Sequence, residues 1–195
     1  MGGTIAKALS IERSQSVMRK AVILAGKFIQ DHEYIYPYYR VQEEGYEVDV
    51  AVRGKETVQG QIGVKIVPTK DIPELRVADY DLLVLPGGAK AMEYMRQDQE
   101  ILKFIRDFHD SGKVIASICH GAQLLISAKV VKGNRVSGYY SIKDDLENAG
   151  ATYVDQPAVV DDRLVTSPHY KYLGPWMKAA FAEVEKKALA HAARV

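Results

Sequence analysis

Three short apolar runs constrain the fold more than any other feature of this chain. They are Ala21-Val22-Ile23-Leu24-Ala25, Asp81-Leu82-Leu83-Val84-Leu85 and Val114-Ile115-Ala116-Ser117-Ile118, and each stops at a glycine-bearing turn. The runs are too short for helices, and they do not alternate as a half-solvated strand does. Strands buried on both faces read this way, and such strands belong to parallel sheets covered by helices. Tyr46 to Val52 alternates enough to add another strand. Helical segments lie between the strands. One runs from about Asp31 to Glu44, with Asp31 as its cap and Pro37 marking a kink or a late start. Another carries Ile101, Phe104, Ile105 and Phe108 on one face, and a third carries Ala122, Leu124, Leu125 and Ala128. The last spans about Pro175 to Ala193, with Met177, Phe181, Val184 and Ala188 in one stripe. Residues 158–160 and 164–166 flank a turn and predict a hairpin, whereas residues 53–79 offer only short strand or loop pieces. Strands alternating with helices imply right-handed βαβ units, hence an α/β fold. No linker, repeat or low-complexity tract divides the chain, so residues 20–195 are expected to form one domain. Residues 1–19 form a mixed polar extension of unknown role, and Met18 is an alternative start.

Composition then removes whole classes of function. Twenty-six Lys and Arg against 25 Asp and Glu leave a formal charge of +1 on 195 residues, which supplies no field to steer a polyanion. No nucleic-acid partner is therefore expected. No stretch approaches the roughly 20 apolar residues of a membrane span, so neither a membrane partner nor a signal segment is expected and the cytoplasm is the default. The single cysteine, Cys119, excludes an internal disulfide and any multi-cysteine metal site. No His/Asp/Glu cluster has ligand spacing, so no metal is expected.

Cys119 lies where a buried strand gives way to a helix, in Ala116-Ser117-Ile118-Cys119-His120-Gly121-Ala122. In α/β folds such a turn lifts its residue above the carboxyl edge of the sheet, where ligands bind. A thiol there would face the backbone N–H groups of the next helix, which favour thiolate. A lone cysteine is more often a small buried hydrophobe, but the strand–Cys–His–Gly–helix context argues for a nucleophile. Gly87-Gly88 after a strand is not a nucleotide loop, since it lacks both the spaced glycines of a dinucleotide site and the Lys-Ser/Thr of a P-loop.

Four motifs in order resemble the DJ-1/PfpI superfamily, and most closely its PfpI-like intracellular protease or amidase branch. They are Asp31-His32-Glu33-Tyr34-Ile35-Tyr36-Pro37-Tyr38, the strand end Leu83-Val84-Leu85-Pro86-Gly87-Gly88, Ala116 to Gly121, and Ile142 to Gly150. The resemblance covers about Lys20 to Glu185. It implies a flavodoxin-like three-layer sandwich with a mostly parallel sheet, and a homodimer or higher oligomer with sites near subunit interfaces. It makes Cys119 the nucleophile, His120 its neighbouring imidazole and Glu33 a carboxyl hydrogen-bonded to sulfur. Charge repulsion requires Glu33 to be protonated if the sulfur ionises. Adjacency alone points the His120 ring away from Cys119. The family orients that histidine with an acid, commonly from a neighbouring subunit. Glu93 matches its position, although the preceding loop is one residue longer and lacks the usual proline. The N–H groups of Gly88 and His120 are expected to form an oxyanion hole. Tyr139 matches a tyrosine near the pocket, and His169, where the chain departs from a Ser-Arg pattern, is expected to be a solvated loop residue.

The expected function is a cofactor-free cysteine enzyme attacking a carbonyl. It acts either as an amidase or peptidase-like hydrolase or as a glutathione-independent glyoxalase or deglycase on 2-oxoaldehydes. Its substrate is accordingly a small aldehyde or a peptide or amide. The alternative is a redox-sensing or chaperone-like stress protein that uses oxidation of Cys119.

Overall fold

The computed structural model describes residues 18–193; the N-terminal extension therefore lies outside the described residues apart from its last two positions. In chain order the elements begin with β1 (Lys20–Leu24), α1 (Asp31–Glu43), β2 (Glu47–Ala51), β3 (Val58–Gln59) and β4 (Lys65–Ile66). Next come β5 (Leu82–Leu85), α2 (Ala89–Met95), α3 (Gln99–Asp110), β6 (Val114–Ile118) and α4 (Ala122–Ser127). The chain ends with β7 (Arg135–Val136), α5 (Lys143–Asn148), β8 (Thr152–Tyr153), β9 (Val159–Asp161), β10 (Leu164–Ser167) and α6 (Leu173–Ala192).

The main sheet runs β2-β1-β5-β6-β10-β9, parallel throughout except for the antiparallel β9–β10 hairpin at its edge. This is the flavodoxin-like order, in which the chain reverses its direction of growth between β1 and β5. The strands read as unbroken apolar runs because both faces are covered. Every residue of β5 and β6 is buried, with α1 and α6 packing together on one side and α2, α3, α4 and α5 linked on the other. Trp176 of α6 is fully buried, and its Nε1–H donates to the Val165 carbonyl at 3.1 Å. That bond satisfies the one polar atom such a ring takes into a core.

Several elements depart from the sequence reading. Asp31 does not cap α1; the Gln30 side chain accepts from His32 N instead. Asp31 is buried, and its carboxylate accepts from Ile62 N at 2.9 Å and Val64 N at 2.7 Å, tying the β3–β4 hairpin to the start of the helix. A buried carboxylate needs donors, and the hairpin turn offers two free N–H groups. Pro37 sits inside α1 without ending it. Cys119–Gly121 form a 3₁₀ turn, so the helix after Cys119 begins at Ala122, the first residue of its apolar stripe. α6 starts two residues early, placing Pro175 in its first turn, where a missing N–H costs nothing. The two-residue pair β7–β8 and the short α2 carry too little periodicity to be read from sequence.

Candidate active site

The carboxyl ends of β1, β5 and β6 bring three turns together. Cys119 follows β6 with φ +58, a left-handed conformation that a residue with a Cβ adopts only under constraint. The constraint is visible: the Cys119 carbonyl accepts from Tyr139 N at 3.1 Å, fixing the turn from the far side. This geometry folds the His120 ring back, so that Nδ1 lies 3.4 Å from Sγ. The expectation that adjacent side chains diverge is thus corrected by one backbone angle.

Glu33 comes from the first turn of α1 and is fully buried. Gly87 N donates to its Oε2 at 2.7 Å, while Oε1 has no nitrogen or oxygen partner among the described residues. Burial, partly offset by the Gly87 N–H and by Cys119, pushes this carboxyl up to about 7. Cys119 is pushed up as well, first by burial and then by the facing Glu33 carboxylate, against the N–H groups of His120 and Gly88 that favour the anion. Burial and the facing carboxyl thus oppose the thiolate that the helix dipole favours. α4 supplies little dipole, being six residues long and separated from the sulfur by the 3₁₀ turn. Burial also lowers His120, leaving a neutral imidazole beside the thiol. A neutral ring at this distance can take the thiol proton when an electrophile arrives.

The two glycines are required by space. A Cβ on Gly87 would lie 2.7 Å from Glu33 Oε2 and 2.8 Å from His120 N. Gly88 has φ +115, and its Cβ would lie 2.7 Å from the Phe28 carbonyl oxygen. The chain can thus approach close enough for the Gly88 N–H to face the sulfur.

Tyr139 stacks on His120 with ring centroids 4.6 Å apart and planes 26° apart. His169 is only half-buried, yet it is no isolated loop histidine: its ring lies 5.9 Å from that of Tyr139. Ser141, which sequence reasoning missed, places its hydroxyl 3.5 Å from His120 Nε2; its position just after Tyr139-Tyr140 was the available signal. Glu93 is exposed on α2 and is not brought to His120 within the chain; its carbonyl accepts from the Gln97 side chain. Among the described residues no group of three or more His, Cys, Asp or Glu gathers as metal ligands do.

A DJ-1/PfpI family model matches residues 19–183. Deglycase PfpI of Pyrococcus furiosus is 39% identical over 159 residues, covering 82% of this chain and 95% of the relative. Protein/nucleic acid deglycase 2 of Escherichia coli is 41% identical over 150 residues, covering 75% and 86%. The crystal structure of Drosophila melanogaster DJ-1beta superposes with a TM-score of 0.78 at 25% identity, covering 89% of this chain and 97% of that one.

Proposed function

The chain belongs to the DJ-1/PfpI family, and on that premise we propose that it is a cysteine enzyme whose Cys119 attacks the carbonyl of a 2-oxoaldehyde or of its amine adducts. The observation that carries this reading is the recess itself. Sγ belongs to a residue only 6% exposed and lies 3.4 Å from a neutral imidazole, which suits a small carbonyl rather than a polypeptide backbone. A cavity of about 750 Å³ lies at the opposite, amino-terminal edge of the sheet, lined by Asp81, Lys113 and Arg163 among others, away from the sulfur.

In the first step His120 Nδ1 takes the thiol proton as sulfur bonds to the aldehyde carbon. The carbonyl oxygen gains the electron pair and takes a proton from Glu33, giving a hemithioacetal. His120 then passes its proton to Glu33 and removes the hydrogen from that carbon. Glu33 protonates the former ketone oxygen of the resulting enediolate, His120 delivers its proton to the neighbouring carbon, and the first hydroxyl returns its proton to Glu33, leaving a 2-hydroxyacyl thioester. Water hydrolyses the thioester to a 2-hydroxy acid and returns the thiol. The N–H groups of Gly88 and His120 stabilise the oxyanion that forms when water attacks, and Tyr139 holds the imidazole plane.

The reading includes a cytoplasmic location and a homo-oligomer in which Glu93 of a second copy approaches His120. The exposure of Glu93 beside this sheet edge supports that placement. The near-zero charge argues against long-range steering only. It does not exclude nucleotide adducts as substrates, so the expected absence of nucleic acid is withdrawn in view of the name of the Escherichia coli relative.

The test is incubation of the protein with methylglyoxal in the absence of glutathione. Lactate formation is expected, falling to background in Cys119→Ala; turnover surviving that substitution overturns the nucleophile. Cleavage of peptide or amide substrates without lactate formation moves the reading to a hydrolase. Addition of two oxygens at Cys119 with no turnover on any substrate replaces it with a redox sensor.

A further inference from the structure

The described site ends at His120 and Tyr139, but the aromatic rings continue outward. Beyond Tyr139 lies His169, and His169 in turn meets Tyr170 in a tilted contact, ring centroids 4.1 Å apart and planes 48° apart. Tyr170 lies 5.3 Å from His32 at the start of α1, with planes 22° apart. Tyr140 flanks the same row, 5.5 Å from Tyr139 and 6.2 Å from His169. The row thus runs from the imidazole beside the sulfur to the surface, drawn from four separate parts of the chain. Its outer members are open: Tyr140 is 44% exposed and Tyr170 40% exposed. Burial lowers His169 as it does His120, with Lys171 adding to the effect, so both imidazoles present uncharged faces.

Exposed rings in a continuous row are not needed to hold the sheet, whose core closes beneath them. Large exposed apolar surface leading from a reactive group marks a binding surface. The quadrupole of each ring favours a second flat π-system in stacked or tilted contact, and such surfaces accept flat groups with little regard to their hydrogen bonding.

We propose that Tyr140, His169 and Tyr170 form a stacking shelf that selects substrates whose reactive carbonyl carries a flat aromatic group. The inference names a substrate class for the carbonyl chemistry assigned above and rests on that reading for its biological meaning. The shelf itself is testable without turnover. Cys119 is the chain's one cysteine, so each alkylation event reports on this site alone.

The experiment compares alkylation by iodoacetanilide, which carries a phenyl ring, with alkylation by iodoacetamide, which does not. Each rate is followed by mass spectrometry and divided by the rate of the same reagent with free cysteine. The aryl reagent is expected to be favoured about fivefold in the native protein, the size of one aromatic contact. The preference falls to about one in the His169→Ala/Tyr170→Ala double variant and survives in Tyr170→Phe, which keeps the ring and guards against misfolding. A native ratio equal to that of free cysteine overturns the shelf, as does a ratio unchanged in a double variant that melts normally. In parallel, kcat/KM is measured for phenylglyoxal and methylglyoxal. Failure of both substrates with an intact alkylation preference removes the proposed enzyme activity and leaves the shelf. Turnover of both without any alkylation preference removes the shelf and leaves the activity.

Discussion

Two carboxyl groups buried in this protein are treated in opposite ways. Asp49, in β2, meets Lys20 Nζ at 2.9 Å, Tyr80 OH at 2.8 Å and Thr69 Oγ1 at 2.7 Å. Desolvation pushes it up, but those three donors outweigh the desolvation and hold it below the usual carboxylate range. Glu33 receives one backbone N–H, finds no nitrogen or oxygen donor for its other oxygen among the described residues, and is carried by burial up to about 7. The fold evidently can satisfy a buried acid, and at Glu33 it does not. A carboxyl kept able to gain and lose a proton near neutrality suits proton transfer, whereas one locked as an anion suits structure.

The largest expected effect comes from breaking the satisfied carboxyl. Asp49→Ala leaves Lys20 and the Tyr80 hydroxyl without their partner and is expected to lower stability by about 4 kcal/mol in urea unfolding, with activity per folded molecule unchanged. A cost below about 1 kcal/mol would make the cluster ornamental. The pH dependence has a definite sign. Because the folded value is depressed, the Asp49 contribution is present above the ordinary aspartate pKa and is lost as pH falls through the lowered value.

Glu33→Gln probes the other side. A folded pKa raised from 4.5 to about 7 means that protonation stabilises the folded state fully below about 4.5 and that this contribution is lost as pH rises through 7. The amide keeps the shape and does not titrate. The wild-type protein should therefore lose about 3 kcal/mol relative to the variant between pH 4.5 and pH 8. Unfolding at the two pH values measures it, and a difference that ignores pH would show that Glu33 does not carry the proton.

A smaller effect is expected from Tyr80→Phe, which removes one of the three donors to Asp49 and should cost about 1.5 kcal/mol of stability. An equal loss in activity would mean that the two carboxyls are coupled rather than independent. Smallest is Ser141→Ala, which removes the hydroxyl facing His120 Nε2. It should lower kcat about threefold at unchanged KM if the hydroxyl orients the ring. A change confined to KM would place it in substrate binding.

What the sequence made legible follows from distance along the chain. The runs at 21–25, 81–85 and 114–118 declare buried strands because each carries its own pattern, and the Cys119 elbow is visible because strand, cysteine and glycine are contiguous. Asp31 is misread as a cap because its true partners, Ile62 and Val64, belong to a hairpin with almost no periodicity of its own. The aromatic row is hidden for the same reason: His32 meets Tyr170, and Tyr139 meets His169, only once the sheet is built. The upward push on the thiol also escapes sequence, since it depends on how deeply the turn is covered and on the facing Glu33. Glu93 shows the limit from the other side, because matching a position in a pattern does not bring its carboxylate to His120 within one chain.

The left-handed turn at Cys119 has a consequence for heat resistance. Acid, base and nucleophile in most cysteine sites come from distant elements, so their spacing fails as soon as packing loosens. Here sulfur and imidazole are successive residues of one three-residue turn, and their 3.4 Å separation is set by a few local torsions. Glu33 and Gly88 reach the sulfur from other parts of the chain and depend on α1 and β5 staying docked. On warming, the site should therefore come apart in order. The proton donor and the second N–H would go first, leaving a Cys–His pair that still reacts with alkylating reagents after it has stopped turning over substrate.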